Sequence, residues 1–225
     1  MRNFILILCA IISFSCQREV SNHEFEKKVF YEIFPKLIDS VCIDTRIYGS
    51  FPPQGKSVFD SRGKFIYSDT SNIIAERKLW REKIKLLKND KAKLVMAFDP
   101  NISESHFDNS EEFKKFSLSE LQPVMLDEDS ISFSLDINKI RSRGKFYLIN
   151  ANKFPKGREI WDKRYNFIFN GALSVDRIQF DKTKTVGVLS AGFYCGGKCG
   201  QGFRIFIKKI NDNWQIIKID ATWIS

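Results

Sequence analysis

The amino-acid sequence predicts an α+β fold, with N-terminal helices packed against a C-terminal antiparallel β-meander, on three observations. In two stretches before residue 90 the apolar side chains recur at three- and four-residue steps, which places them on one face of a helix. From residue 130 onward, runs rich in Ile, Val and Phe are separated by turn-forming clusters such as Asp181-Lys182-Thr183-Lys184 and Asn211-Asp212, the rhythm of a strand meander. Outside the first fifteen residues no segment approaches 18 consecutive uncharged apolar positions, so the body is expected to pack a core of its own beside a membrane, not within it. The expected organisation is a signal peptide over residues 1–15 and a single domain over 16–225, helix-rich to 129 and β-rich from 130.

The chain opens with Arg2 and then runs from 4 to 15 without a charge, the pattern of an export signal. Twelve helical residues cover about 18 Å against a hydrocarbon core of about 30 Å, too short for a permanent span, so the leader is expected to be removed. Ser13-Phe14-Ser15-Cys16 resembles the lipobox of bacterial lipoproteins in its serine-rich form, which implies cleavage before Cys16 and acyl chains on that cysteine. At about 0.8 kcal/mol per buried methylene, such an anchor would by itself hold the chain to a membrane.

Ser21-Asn22-His23-Glu24 has the spacing of a capping box and predicts a helix start. Phe25, Val29, Phe30, Ile33, Leu37, Ile38 and Val41 follow on one face, and Pro35 is expected to kink or split the helix. Phe51-Pro52-Pro53-Gln54-Gly55 and Ser61-Arg62-Gly63 read as a surface loop. A second helix is expected over about 72–89, with Ile73, Trp80, Ile84 and Leu87 inward and a basic outer face of Arg77, Lys78, Arg81, Lys83, Lys85 and Lys88. A strand is expected over 93–98, a short helix over 110–116, and strands over 131–137 and 145–149. After an irregular segment at 154–165, four more strands follow over 172–180, 185–193, 203–210 and 214–223. In the third of these, Phe203, Ile205 and Ile207 share one face and Arg204, Phe206 and Lys208 the other, so one side of the sheet should be wetter.

Without the leader the net charge is +8, unevenly spread: residues 16–75 balance, 76–98 carry +5, 99–137 carry −8 and 138–225 carry +11. Mutual attraction of these parts on folding is the simple reading, and contact with anionic lipid or an envelope polymer the other. Nucleic acid is not an expected partner, because no recognition motif is present.

Tyr194-Cys195-Gly196-Gly197-Lys198-Cys199-Gly200-Gln201-Gly202 connects two predicted strands. Gly196 and Gly197 would permit the positive φ of a tight hairpin, and Gly200 and Gly202 suit a bulge beside it. Cys195 and Cys199 facing each other across such a hairpin would lie about 4.5 to 5.5 Å apart, which a disulfide accepts and an exported protein can oxidise. Free thiols, or a metal completed by Cys42, His23 or His106, are the competing uses. The exposed tip, with Tyr194, Gly196, Gly197, Lys198, Gly200 and Gln201, is the candidate binding loop. No cofactor is expected. The stretch from Gly192 to Cys199 approaches the phosphate-loop pattern, but cysteine stands where a hydroxyl should hold magnesium and a strand follows where a helix should. Gly187-Val188-Leu189-Ser190-Ala191-Gly192 misses the nucleophile-elbow spacing by one residue, and Asp127-Glu128-Asp129 lacks the glycine and distal glutamate of a calcium loop.

The stretch 173–181, the cysteine loop, the stretch 208–214 and the closing Trp223-Ile224-Ser225 resemble a group of uncharacterised Bacteroidota lipoproteins with a Ser-Arg-x-x-Phe strand, a Cys-Gly-x-x-Cys-Gly-x-Gly loop and a closing Trp-x-Ser, with Asp176 in place of the usual serine. The resemblance covers residues 170–225 and implies the address without a chemistry. The sequence thus leads to a membrane-anchored lipoprotein of the cell envelope, on the periplasmic face or the cell surface, that binds an envelope protein or polymer without catalysis. The alternative is an envelope hydrolase built on the ten carboxylates of residues 99–137.

Overall fold

The computed structural model describes residues 22–103, 109–116, 132–140 and 144–225. The leader, Cys16, Ser21 of the capping box, His106 and most of the acidic stretch lie outside the described residues.

Helix α1 spans Asn22–Val41 and buries the predicted apolar stripe from Val29 to Val41 together with Phe34, with Phe25 half-buried. Pro35 does not split it, and the helix runs unbroken through the proline to Val41. A proline costs one backbone donor, but Ile33 and Phe34 before it and Leu37 and Ile38 after it are all buried in the core, so tertiary packing holds the turn. A single turn, α2 (Thr45–Tyr48), follows, capped by the Asp44 carboxylate.

The region expected to be a surface loop contains an antiparallel ribbon, β1 (Lys56–Phe59) and β2 (Phe65–Asp69). The turn signal at Ser61-Arg62-Gly63 is where the ribbon reverses, and Asp60 accepts the amide protons of Arg62 and Lys64 there. Every residue of β2 is exposed, so the ribbon carries no buried alternation for a sequence pattern to reveal. Helix α3 (Ile73–Asn89) follows as expected, with Ile73, Trp80, Ile84 and Leu87 half-buried and none of its residues fully buried. Its C-terminal end is tied down by Lys145, whose ammonium donates to the Leu87 and Lys88 carbonyls at 2.9 Å each, a favourable charge at the negative end of a helix.

The main sheet comprises β3 (Leu94–Phe98), β6 (Phe146–Asn150), β7 (Ile168–Val175), β8 (Gln179–Phe180), β9 (Val186–Gly196), β10 (Cys199–Ile210) and β11 (Asn213–Ile224). Its order is β11-β10-β9-β7-β3-β6, with β8 also on β9. The expected meander is present as β9, β10 and β11, and β7 joins it antiparallel. The antiparallel expectation fails for β6, which lies at the edge and runs parallel to β3, and β3 is also parallel to β7. All five residues of β3 are buried, which is what a central strand covered on both faces requires. The helix-rich half therefore supplies an inner strand to the sheet of the second half.

Alternation along β3 divides the core. Leu94, Met96 and Phe98 enter the main cluster under α1 with Phe30, Phe34, Leu189 and Ile205, whereas Val95 and Ala97 meet Phe154, Tyr165 and Phe169 on the opposite face. The predicted wetter side of β10 is only partly wet: Lys208 is exposed, but Phe206 is buried against Phe113 of α4 (Ser110–Phe116). The strand expected over 131–137 is shorter, β5 (Ser132–Ser134), and it pairs with β4 (Asn101–Ser103) outside the main sheet. Asp136 ends it by capping a 3-10 turn through the Asn138 amide.

α1 is pinned to the sheet by an ion pair inside the protein. Arg177, just after β7, donates from Nη2 and Nε to Glu26 Oε2 at 2.8 and 3.1 Å, and the Ile178 amide donates to Glu26 Oε1 at 2.7 Å. Phe180 in turn packs against Phe25 and Trp214, so the Arg-x-x-Phe pattern of this strand serves to attach α1.

Candidate functional site

The cysteine loop is the tip of the β9–β10 hairpin, turning through Gly197 and Lys198. Cys195 and Cys199 are joined as a disulfide, with Cα atoms 5.1 Å apart, inside the range expected from sequence. The expectation of positive φ at Gly196 and Gly197 is not met: the glycines in that region of conformational space are Gly55, Gly63, Gly157 and Gly171. The glycines of the loop serve space instead. A bulge falls between Cys199 and Gly200, and a second register shift between Gly202 and Phe203 lets β10 bend under Trp223. The Trp223 indole fills the volume that a Cβ at Gly202 would need, and Gly200 exchanges backbone hydrogen bonds with Ser225. The terminal Trp-x-Ser is thus a clasp on the hairpin.

Of the candidate binding loop, Tyr194, Gly197 and Lys198 are exposed, and Gly196 and Gln201 half-buried, whereas Gly200 is buried beneath Trp223. Tyr194 packs on Trp223 with ring centres 5.6 Å apart, so its orientation is fixed by the clasp. Gly171 of β7, at φ 136°, passes the Tyr194 carbonyl so closely that a side chain there would collide with it. The tip is consequently held on two sides.

Beside it lies an open groove of about 810 Å³ at the carboxyl ends of the parallel strands β3 and β6. Such ends leave a crevice that the strands themselves cannot fill. Its walls carry Trp161 and Tyr194, an edge of the buried Phe154, Lys156, and the side chains of Asn101 and Asn152. Asp99, at the end of β3, is the one carboxylate on that wall among the described residues, and it accepts the Asn101 amide. Trp161 lies on a single turn, α5 (Glu159–Asp162), and also borders a second hollow of about 580 Å³ closed by Gly197 and Lys198 of the hairpin tip. Both hollows therefore share Trp161 and a piece of the disulfide hairpin. Phe169 supports Trp161 from below at 5.7 Å, and Tyr165 packs at 4.9 Å on Phe169 and donates its hydroxyl to the Ile160 carbonyl. Burial pushes the Tyr165 hydroxyl pKa up. The segment over 154–165 reads as irregular from sequence. Its signal was compositional: Phe154, Trp161 and Tyr165 lead into Phe167 and Phe169 at the entry to β7, an aromatic density of which only the last three show a strand period.

The other residues considered from sequence fall elsewhere. His23 sits half-buried on α1 with its ring 5.3 Å from that of Phe133. Cys42 is a buried free thiol just beyond α1, where desolvation first and the nearby Asp39 second push its pKa far up. Among the described residues no group of three His, Cys, Asp or Glu side chains could hold a metal ion. Of the ten acidic residues in 99–137, Asp99 borders the groove, Glu111 lies exposed on α4 and Asp136 caps a turn, while Glu112 is described in backbone only and the others lie outside the described residues. No described helix is long and apolar enough to cross a membrane. Neither protein-family models nor curated proteins nor solved structures gave a match to this chain.

Proposed function

We propose that this chain is a lipid-anchored lipoprotein of the bacterial cell envelope that binds, without catalysis, an envelope protein or polymer in the groove beside its disulfide hairpin. The observation that carries the binding part is the joint wall: Trp161 and the hairpin tip face the same pair of hollows, and both are braced from behind. Bracing limits the entropy lost on binding, because the aromatic faces are already in place. The walls join aromatic side chains and amides to Asp99, Lys156, Arg158, Asp162 and Lys198, so contact by stacking and hydrogen bonds runs beside groups of both charges. The anchoring part rests on the uncharged leader and on Ser15-Cys16.

A photoreactive phenylalanine analogue at position 161 or 198, introduced in the native host, tests this reading. Adducts with one envelope component from both positions, and none from exposed position 218 on β11, are expected. Adducts equally frequent from all three positions, or from none, would remove the groove as a binding site.

A further inference from the structure

The ribbon β1–β2 and helix α3 leave the most exposed apolar surface of the described residues. Phe51, Phe59, Phe65, Ile66 and Tyr67 are between 53% and 77% exposed, and Ile74, Leu79 and Leu86 between 66% and 84%. Strand pairing puts Val58 opposite Tyr67 and Phe59 opposite Phe65, with the two phenylalanine rings 6.1 Å apart, so apolar side chains stand on both faces of the ribbon. Its turn carries Arg62 and Lys64.

On α3, Ile74, Lys78, Arg81, Lys85 and Lys88 follow at steps of four, three, four and three, which is a single stripe along the helix. All five are exposed, and the four basic ones have no ion pair among the described residues. The helix and ribbon are one unit: only Thr70 to Asn72 separate them, Trp80 donates to the Ser50 carbonyl at 2.9 Å, and Arg77 donates to that of Pro53 at 3.1 Å. Residues 50–89 carry nine basic and four acidic side chains, a net +5.

We infer that this unit docks on the headgroup layer of an anionic bilayer. A solvated helix face explains the lysines but not Ile74 in their stripe or Leu79 and Leu86 farther round the exposed side of the helix, and two copies of a net-positive surface repel each other. An acidic chain would satisfy the charge and leave Ile74, Leu79, Leu86 and the ribbon aromatics in water. The interfacial layer of an anionic membrane accepts both. The inference rests on the membrane-side address proposed above, and it would place the body against the bilayer, not merely on a tether.

Vesicle flotation of the full-length chain carrying Cys16→Ala separates docking from lipidation. The apolar leader contributes alike to every vesicle, so the quantity read is the ratio of partition into vesicles with about 30% phosphatidylglycerol over pure phosphatidylcholine, where each basic residue at the surface is worth roughly fivefold. A ratio well above tenfold, abolished by about 0.5 M salt, is expected. The variant K78E/R81E/K85E/K88E should bring the ratio down to near one, since four residues at roughly fivefold each are worth several hundredfold, and K78R/K85R/K88R should keep it. A ratio near one without the charge reversal, or the same ratio in the charge-reversed variant, would overturn the inference, including the case in which residues 117–131 of this chain cover the stripe. Lipidation is read apart from this, from the mass of the native protein.

Discussion

Replacing Arg177 by methionine tests how α1 is held. Glu26 and Arg177 are only 2% and 3% exposed, so neither charge can turn to water when its partner is removed. Methionine keeps much of the buried stem but leaves the Glu26 carboxylate with the Ile178 amide as its remaining partner of those that bind it here. Stranding one member of a buried pair costs about 3–5 kcal/mol, and at about 2–4 °C per kcal/mol for a domain of this size Tm should fall by roughly 10 °C. The loss should also depend on pH. Desolvation raises the Glu26 pKa above the ordinary range, and the Arg177 hydrogen bonds and charge offset part of that rise. A folded-state value above the unfolded one means that the contribution of Glu26 is complete below the unfolded pKa and is lost as pH rises through the folded one. Without Arg177 the folded value climbs further, so the penalty of Arg177→Met should grow between about pH 5 and about pH 8. Urea unfolding followed by tryptophan fluorescence at both pH values measures this directly, and Glu26→Met added to Arg177→Met should restore most of the loss. A penalty under about 1 kcal/mol, or one that does not change with pH, would refute the reasoning.

Three further outcomes are expected. Cys195→Ser with Cys199→Ser should cost about 2 kcal/mol, the value for closing so short a loop, and the difference from wild type should vanish when both are melted in reductant. Gly202→Ala should displace Trp223 from the hairpin and cost at least about 2 kcal/mol, seen as a red-shifted indole emission together with a lower Tm. Asp181→Ala should cost about 3 kcal/mol, since the Thr185 and Val186 amides donate to it at 2.8 and 2.9 Å. Burial works to raise the Asp181 carboxyl, but hydrogen bonds from Thr183, Val186 and Thr185 outweigh it and bring its pKa below the ordinary range. Its stabilisation is therefore present above the unfolded pKa and lost as pH falls through the folded one, and wild-type and variant melting temperatures should converge on acidification.

The α+β class and most elements were legible because burial leaves a period in the sequence. The α1 stripe, the half-buried side of α3 and the β9–β11 meander all follow from that period. The ribbon β1–β2 was not legible, because strands exposed on both faces have no period to read. Nor was the parallel placement of β6: its alternation shows which face is covered, not which neighbour it joins. The disulfide was legible from a local spacing, whereas the groove was not, since β3, β6, α5 and the hairpin tip come from four separate stretches of chain. The Glu26–Arg177 pair was hidden for the same reason, its members lying 151 positions apart. The bulges expected at Gly200 and Gly202 are present, but the room that Trp223 takes beside both was not visible, because residue 223 meets them only in the folded sheet.

Intact-mass measurement of the chain extracted from native membranes tests the central proposal most directly. The expected product begins at Cys16 and carries the added mass of a diacylglycerol with or without a further acyl chain, and that mass should be absent when Cys16 is replaced by alanine. Recovery of an unacylated chain still starting at Met1, or of the same acyl mass on the Cys16→Ala variant, would contradict it.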